Sequence, residues 1–201
     1  MVAAALLGVG VSPQAKAANY FWDTNSSVAG LGGSGAWDAG APNWFNADTA
    51  INAVGNRVTT PATLGSADIA YFVGTAGTAT IGSTINIGGL NFGTTAYTLT
   101  TLSPSATNFA ATESTITLNS LNNANATSTV GATITGAVGG SGNVTLTGGL
   151  AAGLVANTLT LNGVSTGGWS GTTTIGVAQT ISLSASNQAL LNTTGITLNG
   201  G

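Results

Sequence analysis

From residue 78 to the end of the chain, apolar and polar residues alternate in short runs: Ile85-Asn86-Ile87, Tyr97-Thr98-Leu99-Thr100, Ile116-Thr117-Leu118-Asn119, Val144-Thr145-Leu146-Thr147, Leu159-Thr160-Leu161-Asn162, Ile181-Ser182-Leu183 and Ile196-Thr197-Leu198. A period of two puts the apolar side chains on one face of an extended segment and the polar ones on the other, as in a half-buried β-strand. Thr on the wet face raises strand propensity further, because its β-branch suits a pleated surface. Nearly every run ends in Gly or Asn, where the backbone can turn with positive φ. The pattern predicts many short strands joined by tight turns, and no long helix.

Two architectures fit such strands: a sandwich or barrel, and a parallel β-helix. The last sixty residues bear on the choice. Residues 143–164 align without a gap on residues 180–201, so that Leu146 falls on Leu183, Leu161 on Leu198 and Asn162 on Asn199, each 37 positions on. Self-similarity at a fixed period is the mark of repeat architectures, whose units bury their apolar faces against neighbouring units. The register favours the β-helix, with each unit spanning about two coils, Leu146 over Leu183 in one column, and Asn162 and Asn199 in a side-chain ladder. Roughly six coils at about 4.8 Å apiece would make a rod about 30 Å long.

The first third of the chain reads differently. Residues 1–11 form an apolar run, followed by Ala15-Lys16-Ala17, whose small first and third residues match the cleavage pattern of a secretory leader. The run is shorter than the roughly 20 residues a bilayer span requires. Residues 1–17 are therefore expected to be a leader or its remnant, with Ala15, Ala17 and Ala18 as the cleavage region; a buried N-terminal strand is the alternative. Residues 18–77 hold three of the four Trp, as Trp22, Trp37 and Trp44, together with all four Asp. A stacked-strand protein leaves an open core and unpaired backbone at its first coil, and bulky aromatics suit a cap there. The expected layout is a leader over 1–17, a cap over 18–77, and a repeat region over 78–201 that ends partway through a unit.

Composition narrows the function. Only 3% of the residues are charged, the net charge is −3, and Cys and His are absent. One Lys and one Arg cannot neutralise a phosphate backbone, which argues against nucleic acid as a partner. Without His or Cys, the commonest general base and the thiolate nucleophiles and metal ligands are missing.

The passages Ser141-Gly142-Asn143-Val144-Thr145-Leu146-Thr147-Gly148-Gly149, Asn157-Thr158-Leu159-Thr160-Leu161-Asn162-Gly163, Gly167-Gly168-Trp169-Ser170-Gly171-Thr172-Thr173-Thr174-Ile175-Gly176 and Thr180-Ile181-Ser182-Leu183 together resemble the passenger-associated repeat of bacterial autotransporters. Trp169 stands where that repeat usually has Tyr, and Gln179-Thr180 where Gly-Thr is usual. The resemblance implies an all-β, right-handed parallel β-helix (a solenoid), secreted or surface-exposed and outer-membrane associated, in which the repeat aids export and folding. It implies an outer-membrane translocation barrel as partner, not in this chain, with surface glycans or neighbouring cells as targets. It brings no catalytic residues and no cofactor.

The residues themselves leave two other functions to weigh. Trp22, Trp37 and Trp44 could stack on sugar rings, making them candidate glycan contacts in a carbohydrate-binding adhesin; packing in a cap is the plainer role for such side chains. A polysaccharide-active enzyme, the third reading, needs clustered carboxylates. Glu113 is isolated, and Asp23, Asp38, Asp48 and Asp68 sit in turn-like surroundings without the regular spacing of a Ca²⁺ loop. The chain is expected not to be an enzyme and to hold no metal. Lys16 and Arg57 have no basic or aromatic company and mark no site, and Trp169 is expected to anchor a turn against the adjacent coil.

Overall fold

A computed structural model describes residues 17–24, 31–37, 43–46, 57–58, 64–94, 96–102, 106–109, 113–118, 129–149, 156–162, 168–184 and 190–199. All the regular structure among them is β. Four short strands come first: β1 (Asn19–Trp22), β2 (Gly35–Trp37), β3 (Trp44–Asn46) and β4 (Arg57–Val58). Then come four triplets: β5 (Ile69–Phe72), β6 (Thr78–Ile81) and β7 (Ile85–Ile87); β8 (Gly89–Phe92), β9 (Tyr97–Thr101) and β10 (Ala106–Phe109); β11 (Glu113–Leu118), β12 (Gly131–Thr135) and β13 (Ala137–Gly140); β14 (Asn143–Gly148), β15 (Asn157–Asn162) and β16 (Gly168–Trp169). The chain ends with β17 (Thr172–Ile175), β18 (Gln179–Leu183) and β19 (Gly195–Leu198).

Each triplet contributes one strand to each of three open sheets. The first sheet runs β19-β17-β14-β11-β8-β5-β1-β3-β4, the second β18-β15-β12-β9-β6-β2, and the third β16-β13-β10-β7. Successive triplets pair in parallel, and among the described residues the only antiparallel pairs are β1 with β3 and β3 with β4, at the outer edge of the first sheet. Parallel all-β pairing in this cyclic order is consistent with a parallel β-helix.

Strand alternation sends one set of side chains into a shared core. In the first sheet Ala70, Leu90, Ile116, Leu146, Ile175 and Leu198 lie in register. In the second, Ala79, Leu99, Ile134, Leu161 and Leu183 do the same. From Leu90 to Leu146 and from Leu99 to Leu161 these side chains are fully buried or nearly so, each aliphatic one contributing about 1.5–3 kcal/mol of transfer free energy. Trp169, on β16 beside Gly140, is also fully buried, and its Nε1 donates to Thr173 Oγ1 at 2.7 Å.

The 37-residue register is not the stacking period. Leu146 lies on β14 of the first sheet and Leu183 on β18 of the second; Leu161 and Leu198 are divided between the same two sheets. Leu146 instead sits beside Ile175, 29 residues on, and Leu161 beside Leu183, 22 residues on. Steps along the first sheet vary, from 30 residues between Ile116 and Leu146 to 23 between Ile175 and Leu198. The connections absorb the differences, so the pairing fixes the register of neighbouring strands without fixing a period. The alignment matches one strand-and-turn chemistry, Thr-Leu-Asn-Gly, used in two sheets. For the same reason Asn162, beside Thr135 in the second sheet, forms no ladder with Asn199, whose N–H donates to Ile175 O in the first.

Candidate functional site

The three tryptophans converge. Trp22 on β1, Trp37 on β2 and Trp44 on β3 are 0%, 2% and 2% exposed. Trp44 meets Trp22 edge-on at a centroid distance of 5.0 Å and Trp37 at 4.7 Å, in the T-shaped geometry that aligns ring edges with ring faces. Phe72 lies beneath, 5.8 Å from Trp44, and stacks at 5.3 Å on Phe92 of the next strand in the sheet. The cluster is thus the aromatic end of the core column, with the antiparallel β3 laid against β1. Trp22 Nε1 donates to Gly33 O at 2.9 Å, while Trp37 Nε1 is buried without a partner. Stacking on a sugar needs an open ring face, and in this packing none of the three indoles offers one.

Tyr97 ties the second sheet to the same end. Its hydroxyl donates to Thr75 O at 2.7 Å and accepts from Gly33 N at 3.1 Å. Burial pushes its phenol up to about 12; the Gly33 N–H pulls it back and the negative charge of Asp23 adds to the rise. Asp23 is itself buried, in a parallel bridge to Gly32, rather than at a solvated turn. Asp68 does hold a turn: Oδ2 accepts from Gly65 N at 2.6 Å, and Asp68 N donates to Gly65 O. Its Oδ1 accepts from Ala18 N at 2.8 Å. Ala17 and Ala18 are described, whereas Ala15, Lys16, Asp38 and Asp48 lie outside the described residues. Among the described residues no three His, Cys, Asp or Glu side chains gather where they could hold a metal.

The outward face of the second sheet is the most regular surface. Thr78, Thr98, Thr133, Thr160 and Ser182 form one column in register, and Thr80, Thr100, Thr135 and Asn162 a second. None of the six strands of this sheet holds a charged residue. The result is a grid of hydroxyls about 4.8 Å apart between strands, with the Asn162 amide at the end of the second column. The alternation of Thr showed which residues face outward; which strand lies beside which was not readable from it.

A buried amide at the corner between the first and second sheets had no advance signal. Asn157 Oδ1 accepts from Val130 N at 2.9 Å, and its Nδ2 donates to Leu118 O at 3.0 Å, with Gln179 next to it in register. A Cβ at Gly148 would collide with Leu118 O and come within 2.8 Å of Asn157 Nδ2, so only glycine leaves room for this bond.

Among known proteins, the chain is 35% identical over 94 residues, 47% of its length, to the adhesin BmaC autotransporter of Brucella suis biovar 1 (strain 1330). The matched stretch spans 3% of that relative's length. No family model and no solved structure matches the chain.

Proposed function

We propose that this chain is part of a surface-exposed, adhesin-like passenger of an autotransporter-type protein: a right-handed β-helical solenoid that holds a polar binding face away from the cell. The observation that carries the reading is the similarity to an autotransporter adhesin over nearly half the chain. The cyclic visiting of three parallel sheets supports the solenoid, and the passenger-associated repeat pattern fits residues 141–183. In this reading residues 18–77 cap the first rung, each rung templates the next during folding outside the cell, and an outer-membrane barrel elsewhere provides the anchor. An enzymatic role has less support, since the named relative is an adhesin and, among the described residues, no cluster of three acidic side chains is present.

The binding face of this proposal is the hydroxyl grid, with surface glycans or neighbouring cells as targets. Buried tryptophans favour that face over the indole cluster as the glycan contact. The test is display: the chain fused to an unrelated anchoring barrel on a non-adherent bacterium should raise attachment to host cells several-fold over the barrel alone. Replacing Thr98, Thr133 and Thr160 by Lys should return it to background. No gain over the barrel alone would overturn the adhesin reading, and a gain untouched by the three substitutions would move binding to another face.

A further inference from the structure

The first strand of the first sheet begins at the expected cleavage point. Ala17 is exposed and Ala18 half-buried, and β1 pairs with β5 from Asn19 onward. Ala18 O accepts from Ile69 N at 3.0 Å, while Ala18 N donates to Asp68 Oδ1 at 2.8 Å. Asp68 is held in turn by Gly65 N on its other oxygen, and its backbone carbonyl accepts from Gly88 and Gly89. A carboxylate held on one oxygen by Gly65 N, on a residue whose backbone is fixed by Gly88 and Gly89, thus faces with its other oxygen the one nitrogen that cleavage after Ala17 would set free.

We propose that Asp68 is the receptor for the mature amino terminus: removal of residues 1–17 places the α-ammonium of Ala18 on the Asp68 carboxylate and locks the first rung. This rests on the export reading and on the small-residue triplet Ala15-Lys16-Ala17. Hydrolysis by a leader peptidase adds one water across the Ala17–Ala18 bond, leaving a carboxylate on Ala17 and an amine on Ala18 that is protonated at neutral pH. Before cleavage the contact is an amide N–H on a carboxylate. Afterwards both partners are charged, so a Coulombic attraction between ammonium and carboxylate is added to a hydrogen bond that already had one ionised partner. Maturation therefore strengthens the end of the sheet that β3 and β4 cover, without moving any strand.

The sequence supplies an unusually clean test. The basic side chains of residues 1–201 are Lys16 and Arg57, and Lys16 leaves with the leader, so within a protein of residues 18–201 the α-amine is the only amine. Mass spectrometry of the exported protein should find Ala18 at its amino terminus; a different first residue overturns the cleavage point and leaves the surface-passenger reading standing. Asp68→Asn should then lower the Tm of the processed chain by about 2–4 °C more than that of the precursor. Acetylation of the processed chain with acetic anhydride keeps an N–H donor but removes the charge, and should cost a similar shift without any substitution. Equal losses in precursor and processed chain, or no shift on acetylation, would overturn the ion pair even where Ala18 is the first residue. Should Asp68→Asn fail to fold, the acetylation shift decides alone.

Discussion

At the scale of single residues, the buried polar groups make the sharpest claims. Tyr97 keeps its proton well past the ordinary phenol range because its hydroxyl is sealed beneath Gly33 and Thr75. Between pH 10 and 12 the unfolded chain loses that proton while the folded chain retains it, so the unfolded state binds fewer protons and stability falls as pH rises. The contribution is fully present below pH 10 and lost on passing about pH 12. Thermal melts across this range should show a decline that Tyr97→Phe largely removes. At neutral pH the same substitution should cost about 1 kcal/mol, the net worth of one hydrogen bond, because Thr75 O and Gly33 N still bond each other at 2.8 Å. A pH profile unchanged by the substitution would contradict the assignment. The tryptophans show what a sequence reveals at this scale: three bulky rings stand in one glycine-rich stretch. Their convergence on Phe72 depends on β3 turning back antiparallel against β1, and no local pattern encodes that pairing.

Among elements, the Asn157 bridge shows how one strand secures the corner of its neighbour. From the start of β15, the amide reaches the carbonyl at the end of β11 and the N–H just before β12. Asn157→Ala leaves both backbone groups buried without that partner, at about 1–3 kcal/mol each, and urea denaturation should show a loss on the order of 3 kcal/mol. Asn157→Asp keeps the shape and the acceptor, removes the donor to Leu118 and adds a charge beside that carbonyl. It should therefore be no more stable than the alanine variant, and recovery of wild-type stability by Asp would sink the bridge. The legibility of whole strands follows the same division between local and distant causes. Strands such as β9, β11, β14 and β15 were readable because Thr alternates with Leu, Ile or Val along them. The third sheet was mostly hidden: β13 is Ala-Val-Gly-Gly and β16 only Gly-Trp, too short and too rich in glycine for a period to register. The first strands, β1 to β3, read as aromatic loop because Asn-Tyr-Phe-Trp, Gly-Ala-Trp and Trp-Phe-Asn show no alternation of apolar and polar residues.

Across the whole molecule, stability should be graded along the stack, because each rung is held mainly by the rungs beside it. The two ends differ. At the start, β3 and β4 cover β1, and Trp22, Trp37 and Trp44 close the core over Phe72. At the other end, among the described residues, β19 pairs only with β17, and β18 only with β15. On these strands Leu183 is 42%, Ile196 53% and Leu198 71% exposed, against full burial of Ile116, Leu146 and Leu161. A strand that buries so little of its apolar face and has one hydrogen-bonded neighbour can open without disturbing the rest. Amide hydrogen exchange followed by mass spectrometry should therefore find β19 exchanging first, β17 and β18 next, and β11, β12, β14 and β15 last, with β1 slower than β19 although both lie toward an end. Trp44→Ala should erase that asymmetry by opening the aromatic end, speeding exchange in β1 and β2 while leaving β14 and β15 unchanged. Uniform acceleration of every strand would instead mean that the stack opens as one cooperative unit, and that the additive, rung-by-rung accounting is wrong.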